Sequence, residues 1–266
     1  MKQRRDQKPQ RNKHSDRERA SADSGLFVVE GMASVAEYLR FRPKAVKRVF
    51  ALKSALRNYG EQLKALPAEV LVLDDRAEST EGVGDSSRRS PVWAEVAVAA
   101  IGDDELIARI SSREKDLILA LDHVLDPRNL GAIVRSAAFF GVREVLVAER
   151  RQALLSNAAV NTAQGGFSLT DLCVTVNVGR MVERLKEKGY WVIGADMRGE
   201  PLQSVVGFYD KVVLILGAEE SGLSPGVRSK CDRIVSIAGP AGGLESLNVS
   251  VAAGVILHSL AGEVPQ

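Results

Sequence analysis

The chain has 266 residues, 45% of them apolar, and a formal net charge of +2, values that fit a globular protein of two ordinary domains. The longest apolar stretches, Val92–Ile101 and Leu247–Leu260, are too short or too interrupted by polar residues to cross a bilayer. The opening MKQRRDQKPQRNKHSDRER has no apolar segment behind it and does not read as a secretory signal, so the expected compartment is the cytoplasm.

Lys2, Arg4, Arg5, Lys8, Arg11, Lys13, Arg17 and Arg19 crowd the start of the chain, diluted by Asp6, Asp16 and Glu18. Residues 1–24 are expected to form a disordered basic tail, either solvated or drawn to phosphates. Residues 25–101 read as a small α/β unit. Phe27–Val29 is a predicted strand, and Met32–Arg40 a helix with Val35, Tyr38 and Leu39 on one face. A strand over Val46–Leu52, a helix over Ser54–Leu66 and a strand over Glu69–Leu73 follow. Arg76–Ser90, rich in Ser, Gly and charge, is an expected loop, and Val92–Ala99 a closing strand.

Residues 102–115 read as a linker or connecting helix, and a second domain is expected over 116–266. Leu117–Leu121 suits a strand buried on both faces. The loop Asp122–Arg128 leads to a helix over Leu130–Phe140, stopped by Gly141. Val145–Ala148 is a strand, Ser156–Ala163 a short helix, and Leu169–Val176 a strand. Val178–Lys188 is an amphipathic helix ending at Gly189. Trp191–Ala195 and Val212–Leu216 are further buried strands. The alternation predicts a mostly parallel sheet flanked by helices. The last helix, Leu247–Leu260, is apolar nearly all round and is expected to be enclosed, partly by the sheet and partly by a partner subunit.

Polar groups and glycines gather in three segments at strand ends, where open α/β sheets bind ligands. In Asp126–Arg135, Asn129 reads either as a helix N-cap or as a site residue, and Arg135 either as a surface arginine or as a phosphate ligand. Leu214–Leu223 carries an apolar strand into a turn with Gly217, Glu219 and Glu220, a plain strand-to-helix turn or a ligand loop. Ile237–Ser250 is a glycine-rich loop leading into Ser246, Leu247, Asn248, Val249 and Ser250, with Ser246 a candidate N-cap. No dinucleotide fingerprint is present. Cys173 and Cys231 lack metal-ligand spacing, and His14, His123 and His258 are scattered, so no metal is expected. Without an evident nucleophile, the reactive group is expected from a cofactor.

Asn129-x-Gly131-x-x-x-Arg135, Leu216-Gly217-x-Glu219-x-x-Gly222-Leu223 and Ser246-Leu247-Asn248-Val249-Ser250 resemble, in this order, the signature motifs of the TrmH (SpoU) family of SPOUT RNA methyltransferases. The resemblance covers about Asp116 to Gly262. Residues 25 to 100, opening Phe27-Val28-Val29-Glu30-Gly31, are more faintly similar to the RNA-binding domain that precedes the catalytic domain in ribosomal members. The third motif usually begins Ile-Pro-Met, whereas here it reads Ile237-Ala238-Gly239-Pro240. The first domain of those members usually ends in a His-Gln-Gly element, replaced here by Arg88–Trp93.

The resemblance implies a deep trefoil knot in the C-terminal α/β domain, a homodimer, and RNA bound across the subunit boundary. It implies S-adenosylmethionine as cofactor, held by Leu216, Gly217, Ile237 and Leu247. Asn129, Arg135, Glu219, Ser246 and Asn248 take the catalytic and RNA-placing roles. The implied reaction is methylation of a ribose 2'-hydroxyl, with Arg135 assisting loss of the proton either as base or as a clamp on phosphate and oxyanion. The expected substrate is a guanosine of 23S ribosomal RNA. A tRNA substrate is the nearer alternative, and a non-catalytic RNA-binding protein of ribosome assembly the more distant one.

Overall fold

A computed structural model describes residues 25–75, 90–149, 155–219, 221–240 and 246–261. The basic tail, residues 76–89 of the expected loop, and 241–245 of the third motif lie outside the described residues.

The first sheet contains β1 (Leu26–Glu30), β2 (Val46–Leu52), β3 (Val70–Leu73) and β4 (Val92–Ala97), in the order β1-β4-β2-β3. β4 pairs antiparallel with β1 and β2, and β3 runs parallel to β2. Helices α1 (Met32–Phe41) and α2 (Ala55–Lys64) accompany it. As the periodicity predicts, α1 buries Val35, Tyr38 and Leu39.

The second sheet has seven strands: β5 (Ala100–Ile101), β6 (Asp116–Leu121), β7 (Glu144–Ala148), β8 (Asp171–Thr175), β9 (Trp191–Pro201), β10 (Lys211–Leu216) and β11 (Arg233–Ser236). Their order is β11-β9-β10-β6-β7-β8-β5, and every pairing is parallel. Its helices are α3 (Asp103–Ile110), α4 (Pro127–Phe139), α5 (Asn157–Ala163), α6 (Val178–Glu187), α7 (Pro225–Arg228) and α8 (Val249–Ala261). The alternation of apolar side chains along β6 and β10 feeds two cores. Leu117, Leu119, Leu214 and Leu216 join one, and Ile118, Ala120, Val213 and Ile215 join the other.

The expected connecting segment contains α3, and Ala100 and Ile101, expected to end the first unit, lie in the second sheet. Ala100 and Ile101 pair with β8, and Leu106 and Ile110 of α3 are fully buried in its core. The two sheets also share apolar packing. Phe27, Val29 and Leu39 cluster with Val160 and Ala163 of α5. The edge of β1 is covered by α5, whose Asn157 Oδ1 and Asn161 Oδ1 accept from the backbone N–H groups of Val28 and Glu30 at 2.8 and 2.9 Å. Four helical residues rise ~6 Å and two strand residues ~6.8 Å, so an i, i+4 pair matches alternate strand amides. Asp171 adds ion pairs to Arg42 of the first unit and, at 2.6 Å, to Arg109 of α3.

Four local expectations change. α4 starts at Pro127, and its N-cap is Asp126, whose side chain accepts from the Arg128 N–H at 2.7 Å. Asp followed by Pro satisfies N-cap and first-turn preferences together, which leaves the Asn129 amide available. α8 starts at Val249, and Asn248, not Ser246, accepts from the Ser250 N–H at 2.9 Å. α8 is not enclosed on every side within one chain: Val251 is 51% and Val255 40% exposed. β9 runs on past Ala195 to Pro201, with a register break where β11 joins it. Gly141 closes α4 with φ 79°, as the sequence predicts.

At the amino edge of the large sheet, Arg113 donates to Asp116 at 3.1 Å and to both oxygens of Glu144 at 2.7 Å. Tyr190 donates to Asp116 at 2.5 Å. Glu144 is almost wholly buried, so the guanidinium is its counter-charge. Arg113→Met should cost about 3–5 kcal/mol of unfolding free energy, the cost of stranding a buried carboxylate. Urea titration checks it, and a loss under 1 kcal/mol would contradict that role for Arg113.

Candidate functional site

The chain leaves β6 toward β7 and β8 on one side and returns through β9 and β10 on the other. Its direction across the sheet therefore reverses between β6 and β10. Ligands of open parallel sheets sit outside the carboxyl ends of the strands at such a point. Leu216 ends β10 opposite Leu121 of β6.

Beyond Leu216 the chain folds back on itself. Ala218 N–H donates to Gly222 O at 3.0 Å, and Gly222 N–H donates to Ala218 O at 2.9 Å. A Cβ on Gly217 would lie 2.3 Å from the Gly222 carbonyl carbon, so only glycine fits there.

This turn carries Glu219 to the start of α4 and the residue before α8. Glu219 Oε1 accepts from Asn129 Nδ2 at 2.8 Å and from Asn248 Nδ2 at 2.7 Å. Asn248 Nδ2 also lies 3.2 Å from Asn129 Oδ1, and Asn248 Oδ1 accepts from the Ser250 hydroxyl at 2.6 Å. One residue from each predicted motif thus enters a single polar cluster, and the Asn248 amide is oriented by the first turn of α8.

Against this cluster lies a cavity of about 280 Å³. Leu216, Gly217, Ile237 and Leu247 all line it, as do Glu219 and Ser246. Val249, Ala252 and Ile256 of α8 complete its apolar wall. Asp196 and Arg198 of β9 line it too, and sequence reasoning missed them because the predicted strand stopped at Ala195. Asp196 is anchored by an ion pair to Arg228. The cavity is apolar on one side and carries Asp196, Arg198 and Glu219 on the other, which suits a ligand with a flat apolar part and a charged part. Asn129 and Arg135 do not line it. Arg135 sits farther along α4, exposed, with no ionic partner among the described residues.

Burial pushes the Cys173 thiol up to about 12 and the Cys231 thiol up to about 11. Neither is a ready thiolate nucleophile. Among the described residues no group of three or more His, Cys, Asp or Glu side chains could hold a metal, and no helix is long and apolar enough to cross a membrane.

Residues 116–258 match the model of the SpoU rRNA Methylase family. A protein of Mycolicibacterium paratuberculosis described as an uncharacterized tRNA/rRNA methyltransferase is 40% identical over 157 residues, 59% of this chain and 50% of its own. The chain thus spans about half the length of the curated relatives it matches. A TrmH-family RNA methyltransferase structure from Porphyromonas gingivalis aligns with TM-score 0.71 and 25% identity, covering 93% of this chain and 94% of its own. The SpoU methyltransferase AviRb from Streptomyces viridochromogenes, solved with AdoMet, aligns with TM-score 0.73 and 23% identity, covering 95% and 98%.

Gly217→Ala should force the turn open and cost about 1–3 kcal/mol of stability, the range for overpacking a filled site. Denaturant unfolding measures it, and an unchanged midpoint would show that the turn has slack.

Proposed function

The chain belongs to the SpoU rRNA Methylase family, and from that premise we propose that it transfers a methyl group from S-adenosylmethionine to a ribose 2'-hydroxyl of RNA. The observation that carries this reading is the bonding of Asn129, Glu219 and Asn248 beside a cavity lined by Leu216, Gly217, Ile237 and Leu247. S-adenosylmethionine, when bound, supplies an electrophilic methyl group on a cationic sulfur. The apolar wall of Leu216, Ile237, Leu247 and Ile256 would take the adenine, and the Glu219 carboxylate would supply negative charge for the cation.

Arg135 is assigned to the RNA. A guanidinium stays protonated, so it would act by charge, gripping a phosphate next to the reacting sugar and stabilising the oxygen, while the hydroxyl proton would pass to solvent water as the new O–CH3 bond replaces the S–CH3 bond. Its exposure and its lack of an ionic partner among the described residues support this role. Ser246, exposed at the cavity rim, would orient the sugar. Holding hydroxyl and methyl group in line supplies most of the rate.

A homodimer is part of the proposal. Phe139 at the end of α4 is 79% exposed, Val251 and Val255 of α8 are exposed as well, and α4 packs on α8. A second copy would cover these apolar side chains and bring its own Arg135 toward the site. The knotted chain end implied by the motifs, a cytoplasmic location and a guanosine of 23S ribosomal RNA as target complete the reading. The first sheet, docked on α5, would serve as a second RNA contact.

Arg135→Ala should lower methyl transfer by about a hundredfold or more, the loss typical of a charge-stabilising group. Cofactor affinity by calorimetry should stay unchanged. Full activity in this variant would remove Arg135 from the mechanism. Mapping 2'-O-methyl groups in ribosomal and transfer RNA from cells with and without the protein tests the substrate.

A further inference from the structure

Asp122 follows β6 immediately and is 4% exposed. A carboxylate buried to this degree at a strand end requires partners; that of Asp122 has two, and its backbone makes a further bond. Its backbone N–H donates to Leu216 O at 2.8 Å. Its Oδ2 accepts from the Ser224 N–H at 2.6 Å. Its Oδ1 lies 2.6 Å from His123 Nδ1. Leu216 and Ser224 are the two ends of the turn that carries Gly217 and Glu219, so one residue grips both.

His123 is held with φ 63°, one of two non-glycine residues with positive φ among those described. Such a conformation is costly for an ordinary side chain and persists only where its surroundings demand it. Here it accompanies the contact of the ring with Asp122. His123 also borders a second cavity, of about 460 Å³, on the far side of the turn. The charged groups facing it there are Asp122, Arg180 and Glu183 of α6, and Lys230. Glu183 is paired with Lys230 and Asp122 with Ser224 and His123.

We infer that Asp122 is a positioning residue for the cofactor turn, fastening its ends at Leu216 and Ser224, with His123 Nδ1–H holding the carboxylate in the gripping rotamer. Asp122 touches neither the cavity of about 280 Å³ nor the cluster around Glu219, so it acts through the turn. The inference rests on the proposed cofactor reading for its affinity readout only.

The test compares Asp122→Ala and Asp122→Asn with the unsubstituted chain, by amide hydrogen exchange without cofactor and by S-adenosylmethionine calorimetry. In Asp122→Ala the Ser224 amide loses its acceptor. Its exchange should speed up about tenfold or more, and the cofactor Kd should rise about tenfold, the size expected for stranding one buried donor. Asparagine can still accept from the Ser224 N–H, so Asp122→Asn should keep Ser224 exchange close to that of the unsubstituted chain, whereas a role for the negative charge alone predicts fast exchange there too. Should Asp122→Ala not fold, Asp122→Leu, which fills the space without an acceptor, takes its place, and a space-filling role predicts that leucine restores slow exchange. Fast exchange in Asp122→Asn, or unchanged Ser224 exchange in the variant that lacks the acceptor, would overturn the inference. Failure of the unsubstituted chain to bind S-adenosylmethionine would overturn the proposed function instead, and the exchange comparison would still decide Asp122.

Discussion

The site depends on where two parallel strands end. β6 and β10 stop side by side at Leu121 and Leu216, and the groups that matter follow within a few residues of those ends. Because the sheet is buried on both faces, these ends are rigid platforms, and short loops built on them inherit their positions. The Glu219 carboxylate, bonded at once to Asn129 and Asn248, is the visible result. These partners are 90 and 29 residues away in sequence, so the cluster forms only when the whole sheet has formed. Folding of the scaffold and assembly of the site are the same event.

The same sheet handles its charges differently at its two edges. At the amino edge, Arg113, Asp116, Glu144 and Tyr190 satisfy one another in a nearly closed network, which leaves little for a ligand to bind. At the carboxyl edge, Glu219, Ser246 and Asn248 are exposed beside an apolar cavity. Satisfied polar groups stabilise, and exposed convergent ones recognise. The contrast gives structural work to one edge and leaves a candidate binding site at the other.

The first sheet is tied on by side chains of the second unit. Asn157 and Asn161 occupy the open edge of β1, and Asp171 bridges arginines from both units. An uncovered edge strand invites pairing with another chain, and here a helix of the same chain blocks it. The shared apolar cluster holds the two sheets against each other.

The sequence by itself determined the secondary elements and the three motifs. Strand and helix periods depend on local alternation, so Val46–Leu52 was legible to the residue and most other elements nearly so. The motif glycines were legible because Gly217 has no substitute where backbone meets backbone. The Asp126-Pro127 cap was written in the chain but outcompeted there by the more conspicuous Asn129. Only the tertiary structure decided that Asn129 bonds Glu219, that Arg135 stands outside the cavity, that β9 adds Asp196 to it, and that Ala100 and Ile101 pair in the second sheet. Asp122 was hidden for the same reason: its partners are the backbone groups of Leu216 and Ser224, which carry no side-chain signature and are brought near by the parallel crossing of distant strands.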